Sequence, residues 1–129
     1  MKNLFLLFAL LPISLFGMQT PQNITSITKA ISDGNADALA AYFDSNVEIA
    51  ILDDEDVYSK AEAIKVVKGF FSKNKPNSFS QVHQGSSKGK DSQYCIGNME
   101  TSNGQFRVYV YLKVSGNNTS IKELRFDKP

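Results

Sequence analysis

The stretch QYCIGNMETSNGQFRVYVYLKV, from Gln93 to Val114, carries the clearest indication of fold in this chain. Two runs of strand-forming residues flank Asn103-Gly104, a pair typical of a type I′ hairpin turn, in which both central residues need a positive φ. A two-residue turn at this point predicts that Glu100 faces Arg107 across the two strands. The sequence therefore predicts a long antiparallel hairpin that turns at Asn103-Gly104.

Successive side chains of a strand point to opposite faces, so this hairpin divides into an apolar face and a mixed face. The apolar face, called the dry face below, comprises Phe106, Val108, Val110, Leu112 and Val114, with Cys95, Gly97 and Met99 opposite them. The outer face comprises Arg107, Tyr109, Tyr111 and Lys113, with Tyr94, Ile96, Asn98 and Glu100. Such a division is typical of a sheet that is covered on one side only.

A second turn extends both faces to a closing strand, Thr119–Phe126. A four-residue loop before this strand would turn Glu123 and Arg125 into the core, which the cost of burying charge opposes. A three-residue loop, Gly116–Asn118, places apolar residues there instead. It predicts the pairs Leu112 with Lys122, Val110 with Leu124, Val108 with Phe126, Tyr109 with Arg125, and Tyr111 with Glu123.

The first 17 residues have the layout of a secretory signal peptide. Lys2 provides the positive start, Leu4–Phe16 is an apolar run, and Gly17 is a small residue at its end. An uncleaved membrane anchor is the alternative, but a bilayer span needs about 20 apolar residues. We therefore expect cleavage near Gly17, a single exported domain over residues 18–129 in the periplasm or outside the cell, and no membrane span after cleavage.

The charges of the chain are balanced, with 14 basic and 13 acidic residues. Removal of Lys2 with the leader would make the two numbers equal, and the remaining lysines are interspersed with acids. Nucleic-acid binding needs an excess of basic residues on one face to neutralise phosphates. The composition therefore argues against nucleic acid as a partner.

Two short segments invite a metal or phosphate interpretation that their spacing does not support. The acids Asp53–Asp56 lack the glycine and the final glutamate of an EF-hand loop, so a solvated turn is expected. The segment Gly85–Asp91 (GSSKGKD) lacks the spacing of a phosphate-binding loop and is not followed by a helix. We expect neither a metal nor a cofactor.

The single cysteine, Cys95, lies on the dry face, and one cysteine alone forms no intramolecular disulfide. Reactive thiols are usually exposed near cations, so a buried small apolar residue is the favoured interpretation. A nucleophilic pair with the only histidine, His83, is the alternative.

Two short helices and a strand are expected before residue 53. The first helix has Asn23 as its N-cap, ends at Gly34, and presents an apolar stripe of Ile24, Ile27 and Ile31. Asn35 can cap a second helix, Ala36–Phe43. The segment Asn46–Leu52 then has the composition and length of a strand.

Ser59 and Glu62 form a capping box at the start of a third helix. Its predicted apolar stripe is Ala61, Ile64, Val67 and Phe71, with Phe70 beside it. Pro76 stops this helix because proline lacks the backbone donor. In the next segment, Ser78–Gln84, the apolar residues Phe79 and Val82 have opposite parity, which a β-bulge would reconcile.

The predicted order is two helices, a strand, a helix and a long antiparallel meander, which indicates an α+β domain. Three stretches resemble the nuclear-transport-factor-2-like superfamily: ITKAISDGNADALAAYFDSNVEIAI, SKAEAIKVVKGFF and YVYLKVSGNNTSIKELRF. This resemblance implies a cone, in which a curved sheet wraps around the helices and leaves an apolar pocket at one end. It points to an exported bacterial branch, within a superfamily that includes isomerases, SnoaL-type polyketide cyclases and non-catalytic binding domains.

Enzyme and binding module remain two distinct hypotheses. An acid–base enzyme would need a carboxylate and an acidic donor in the pocket, and the dry face offers none. Elsewhere, His83 is the candidate base, with Tyr42 and Tyr58 as further polar candidates, and Glu48 as well if its strand faces the other way. The residues expected to line the pocket or core are Tyr42, Phe71, Phe79, Phe106, Val108 and Phe126. We favour a non-catalytic domain that binds a small apolar ligand or a protein partner.

The outer face is the expected interface. Tyrosine and arginine are enriched at interface anchors, and the resemblance implies dimers that form sheet to sheet. The residues expected to take part in a homodimer are Tyr94, Arg107, Tyr109, Tyr111, Glu123 and Arg125. The alternative is a solvated sheet on which these side chains form ordinary cross-strand pairs.

Overall fold

The computed structural model describes residues 22–89 and 91–129. The proposed leader and its cleavage site lie outside the described residues. The elements are α1 (Gln22–Asp33), α2 (Ala36–Ala40), β1 (Phe43–Ile51), β2 (Asp54–Ser59), α3 (Lys60–Lys73), β3 (Pro76–Ser86), β4 (Ser92–Thr101), β5 (Gly104–Ser115) and β6 (Asn118–Asp127).

The six strands form one sheet in the order β2-β1-β6-β5-β4-β3. All neighbours are antiparallel except β1 and β6, the first and last strands of the chain, which run parallel. The three helices pack on the dry face, and the outer face has no covering element among the described residues. The α+β prediction and the two-faced sheet are confirmed.

The hairpin turn lies one residue earlier than predicted. Ser102 and Asn103 form the turn, and Thr101 pairs with Gly104. Of these four residues, only Gly104 has a positive φ, 106°. Lys75 explains part of this shift, because its backbone N–H donates to the Ser102 hydroxyl and its carbonyl accepts from the Ser102 N–H. The type I′ prediction was wrong, and the pairing moves by two residues.

The residue pairs of the hairpin change, but its faces do not. Asn98 is opposite Arg107, where Glu100 had been expected. A shift of two residues keeps every side chain on its face because the side-chain period of a strand is two. Accordingly, the structure buries Cys95, Met99, Val108, Val110 and Leu112.

The last turn is also shorter than predicted, with Ser115 paired to Asn118. Leu112 therefore pairs with Ile121 and not with Lys122, which bulges out of the ladder. The bulge restores the remaining predicted pairs, Tyr111–Glu123, Val110–Leu124, Tyr109–Arg125 and Val108–Phe126. Burial of the apolar residues on β6 thus overrides the length of the loop.

The first two helices differ from the prediction at their ends. Asn23 lies inside α1, where its side-chain amide donates to Thr119 Oγ1 at 2.8 Å, so the N-cap prediction was wrong. Gly34 ends α1 with a φ of 65°, and Asn35 caps α2 by accepting from the Ala38 N–H. Phe43, predicted to be helical, starts β1 and is buried.

Strand β2 was missed because its first residues are acids. Asp54–Asp56 had been interpreted as a solvated turn, but only Leu52 and Asp53 form the turn. The rest pairs with β1 as an edge strand whose residues are mostly exposed. Charged residues on an edge strand discourage pairing with another chain, which accounts for this composition.

Helix α3 begins as predicted, with the Ser59 hydroxyl accepting from the Glu62 N–H at 3.3 Å. Its buried face is Ala63, Val67, Phe70 and Phe71, whereas Ala61 is exposed. In β3 the predicted bulge occurs between Gln81 and His83, and Val82 remains 55% exposed.

Candidate functional site

Aromatic side chains fill the interior of the cone between α3 and the centre of the sheet. The ring of Phe126 is fully buried and stacks on Phe70 at a centroid distance of 4.3 Å. Phe71 meets Phe126 edge to face at 6.0 Å, and Phe106 meets Phe70 in the same way at 5.1 Å. This part of the interior is therefore a packed core without room for a ligand.

The other residues expected to line a pocket also lie in or against this core. Val108 is fully buried, and Tyr42 is half-buried. The half-buried ring of Phe79 lies over Gly97, on the dry face. Ligand space must therefore be sought beside the aromatic cluster.

A groove of about 430 Å³ opens beside this cluster, between α3 and the β1–β2 hairpin. We call it the α3 groove. Its apolar lining is Ile49, Ile51, Leu52, Val66, Phe70 and Phe106, and its polar lining is Asp54, Tyr58, Lys65, Lys73 and Asn74. Its volume lies within the usual range of small-molecule sites, about 300–1,000 Å³.

Gly69 lies in the middle of α3 and lines the groove. A Cβ built on Gly69 meets no atom within 4 Å, so close packing does not require glycine there. Glycine inside a helix costs about 0.5–1 kcal/mol relative to alanine. The protein therefore accepts a less stable helix at a position where the missing side chain leaves the groove open.

Leu52 stands at the mouth of the groove with a φ of 55°, the only positive φ of a described residue other than glycine. This backbone conformation is uncommon and costs about 1–3 kcal/mol. The side chain of Leu52 is nevertheless 41% exposed. An exposed apolar side chain on a strained backbone extends the apolar surface of the groove to solvent.

His83 lies on the outer face, away from the groove. It is exposed, and its Nε2 is 2.7 Å from the hydroxyl of Tyr94. The two rings are 5.4 Å apart, and Tyr94 continues to Tyr111 at 6.3 Å. The candidate base is thus part of an aromatic row on the open side of the sheet.

The outer face brings together the residues expected at an interface. Arg107 donates from Nε to Asn98 Oδ1 at 2.8 Å. Arg125 contacts the carboxylates of Glu123 at 3.2 Å and Glu55 at 3.5 Å. Tyr109 and Tyr94 are half-buried, and Tyr111 is 39% exposed.

Glu48 also lies on the outer face, opposite Glu123 on β6. A hydrogen bond with Glu55 raises the pKa of Glu48, and burial and the negative charge of Glu123 raise it further. Arg125 acts in the opposite direction and lowers this pKa. The half of the outer face formed by β2, β1 and β6 is therefore an acidic cluster around one arginine.

Cys95 is buried, and this burial raises the pKa of its thiol to about 11. A thiol in this state is a poor nucleophile at neutral pH, in agreement with a core role. Within the described ranges, no three acidic, histidine or cysteine side chains are grouped so that they could hold a metal ion. In the same ranges, no helix is long and apolar enough to cross a membrane.

The groove residues Leu52, Lys65, Gly69 and Lys73 were not singled out from the sequence. One local signal was available, a glycine in the interior of an amphipathic helix. The position of α3 relative to the β1–β2 hairpin, which creates the groove, has no signature in the sequence.

The curved six-stranded sheet and its packed helices have the nuclear-transport-factor-2-like (NTF2-like) fold. A designed NTF2-type protein shares the fold with a TM-score of 0.63 and 12% identity, over 81% of this chain and 93% of the other. A protein from Sinorhizobium meliloti described as a polyketide cyclase has a TM-score of 0.62 and 9% identity, over 84% and 95% of the two chains. These likenesses show the fold alone.

Residues 24–127 match a family described as "Domain of unknown function (DUF4783)", and the chain belongs to this family. A family protein from Bacteroides ovatus is 30% identical, with a TM-score of 0.77 over 88% of this chain and 98% of that protein. A second, from Bacteroides uniformis, is 30% identical, with a TM-score of 0.76 over 86% and 98%. No curated protein sequence matches the chain.

Proposed function

We propose that this chain is a non-catalytic NTF2-like domain that binds a small apolar ligand in the α3 groove. The groove itself carries the proposal: an open space of about 430 Å³ has an apolar floor and a glycine where a helix favours alanine. Sites for small molecules are mostly apolar clefts with a few polar groups at defined places. Binding would remove the apolar surfaces of Leu52, Ile51 and Val66 from water, and this burial contributes favourable binding free energy.

The arrangement of polar groups favours binding over catalysis. Acid–base catalysis needs a base and a donor held by further groups within hydrogen-bond reach of the substrate. In the described part of the chain, no hydrogen bond or ion pair connects the side chains of Asp54, Tyr58, Lys65 and Lys73. The alternative of a SnoaL- or ketosteroid-isomerase-like enzyme has His83 as its candidate base, and His83 lies on the other face of the sheet.

Filling the groove at Gly69 should weaken ligand binding strongly. The environment-sensitive dye 1-anilinonaphthalene-8-sulfonate should bind the native protein saturably, and Gly69→Leu should weaken that binding at least about tenfold because the new side chain occupies the open space. The chain contains no tryptophan, so dye fluorescence is measured without interference from indole.

Ala61→Leu is the matched control for this experiment, because it adds a leucine to an exposed position of α3 outside the groove. It should leave dye binding unchanged, and thermal melting should show that both variants are folded. Equal dye affinity for Gly69→Leu and the unmodified protein would contradict the proposal.

We further propose that the outer face forms a homodimer. The acids Glu48, Glu55 and Glu123 lie on the β2–β1–β6 half, and the basic side chains of Arg107 and Lys113 lie on β5. A two-fold axis through the face would bring the acidic half of one copy against the basic half of the other. Val57 on β2, 62% exposed, supplies apolar surface for such a contact.

The double substitution Tyr109→Glu with Tyr111→Glu should produce a folded monomer from a dimer, because it places two charges at the centre of the interface. Sedimentation velocity would measure the change. A dimeric parent with an equally dimeric double mutant would contradict the interface.

Finally, we propose that the domain acts outside the cytoplasm. Lys2 followed by the apolar run Leu4–Phe16 supports this location. The protein isolated from the producing cells should begin just after Gly17, as measured by N-terminal sequencing, and should be found in the periplasmic or extracellular fraction. A cytoplasmic protein that retains residues 1–17 would contradict export.

A further inference from the structure

One stripe of α3 lines the groove with two cations and an open space between them. Lys65, Gly69 and Lys73 are four residues apart, and residues at this spacing share one side of a helix. Both lysines are exposed, and neither forms an ion pair with a described residue. By contrast, Lys68 is engaged with Asp37 at 3.0 Å. The stripe thus offers positive charge that no ion pair with a described residue neutralises.

The two ends of the stripe have different neighbours across the groove. Helix α3 follows β2 directly and contacts both β2 and β1, so the order of the chain places Lys65 nearer to Tyr58 than Lys73 is. Asp54 begins β2, about 13 Å along the strand from Tyr58, and we infer that it lies toward the Lys73 end of the groove. It pairs with Ile51, which lies beside Phe126 on β6. The two lysine positions are about 12 Å apart along the helix axis.

This difference decides where an anionic group is bound more favourably. At the Lys65 end, an ammonium group and the Tyr58 hydroxyl can both donate hydrogen bonds to a carboxylate. At the Lys73 end, Asp54 repels an anion, and the carbonyl end of the helix dipole does the same. Between the two ends, the apolar floor suits a hydrocarbon chain.

We propose that the ligand is an aliphatic monocarboxylate whose carboxylate is bound by Lys65 and Tyr58. Its chain lies over Gly69 and extends toward Phe106. This inference rests on the proposed binding function and adds the charge and the orientation of the ligand.

Isothermal titration calorimetry with octanoate, octanol and octylammonium separates charge from chain. Octanoate should bind at least about tenfold more tightly than octanol, because a charge-assisted hydrogen bond adds to the same apolar contact. Octylammonium should bind most weakly of the three. Lys65→Gln should reduce octanoate affinity to that of octanol, and Lys73→Gln should have a smaller effect.

Lys68→Gln is the matched control, since Lys68 lies outside the groove and is paired with Asp37. It should bind octanoate as the unmodified protein does. Equal affinity for octanol and octanoate would contradict the proposal that the site recognises a carboxylate, but it would still support an apolar binding groove. An unchanged octanoate affinity in Lys65→Gln would contradict the orientation. If none of the three compounds binds, the ligand class and the proposed binding function both fail.

Discussion

Phe126→Ala should destabilise the protein by about 3–5 kcal/mol, the range observed when a large buried side chain is truncated. Phe126 is fully buried, and its ring contacts those of Phe70 and Phe71, so its removal leaves a cavity at the point where α3 meets the sheet. Equilibrium unfolding in urea would measure the change in the free energy of unfolding.

Val82→Ala provides the comparison, because Val82 is 55% exposed in the β3 bulge and should change stability by about 0.5 kcal/mol at most. If Phe126→Ala does not fold, Phe126→Leu gives a smaller, measurable loss at the same site. A loss below about 1 kcal/mol for Phe126→Ala would contradict an aromatic core in the cone.

Gly97→Ala should destabilise the protein by about 2 kcal/mol, in the range expected of overpacking. A Cβ on Gly97 would overlap the ring of Phe79 and lie 2.7 Å from the carbonyl oxygen of Ser80. The ring can move, but the backbone oxygen belongs to the β3–β4 ladder and cannot yield cheaply. Thermal unfolding should show a clear decrease in the melting temperature.

Gly69→Ala is the matched variant, and its effect should have the opposite sign. Its Cβ meets nothing within 4 Å, so the gain in helix propensity, about 0.5–1 kcal/mol, should appear as increased stability. Two alanine variants that change stability equally would contradict the different surroundings that the structure gives these two glycines.

The alternation of side chains along a strand explains why the predicted faces are right even where the predicted turns are wrong. The hairpin turn was misplaced, yet the faces around Arg107 and Val108 were correct because the error was an even number of residues. At the last turn the error was odd, and a bulge at Lys122 corrected it in the protein. At this last turn, burial of one face determined the register more strongly than the turn did.

The missed features depend on contacts between distant parts of the chain. Strand β2 has too few apolar residues to show a pattern, since it is an exposed edge. The α3 groove depends on the gap between a helix and a hairpin, and only Gly69 hinted at it. His83 was a natural candidate by residue type, but no local pattern indicated that it faces away from the helices.

The most direct test of the central claim is a titration of ¹⁵N-labelled protein with octanoate, followed by amide chemical shifts. We expect saturable shifts concentrated around the α3 groove, at Ile51, Leu52, Val66, Gly69 and Phe106. Saturable shifts that instead cluster at Tyr94 and Tyr111 on the outer face, or no saturable shift at all, would contradict the α3 groove as the ligand site.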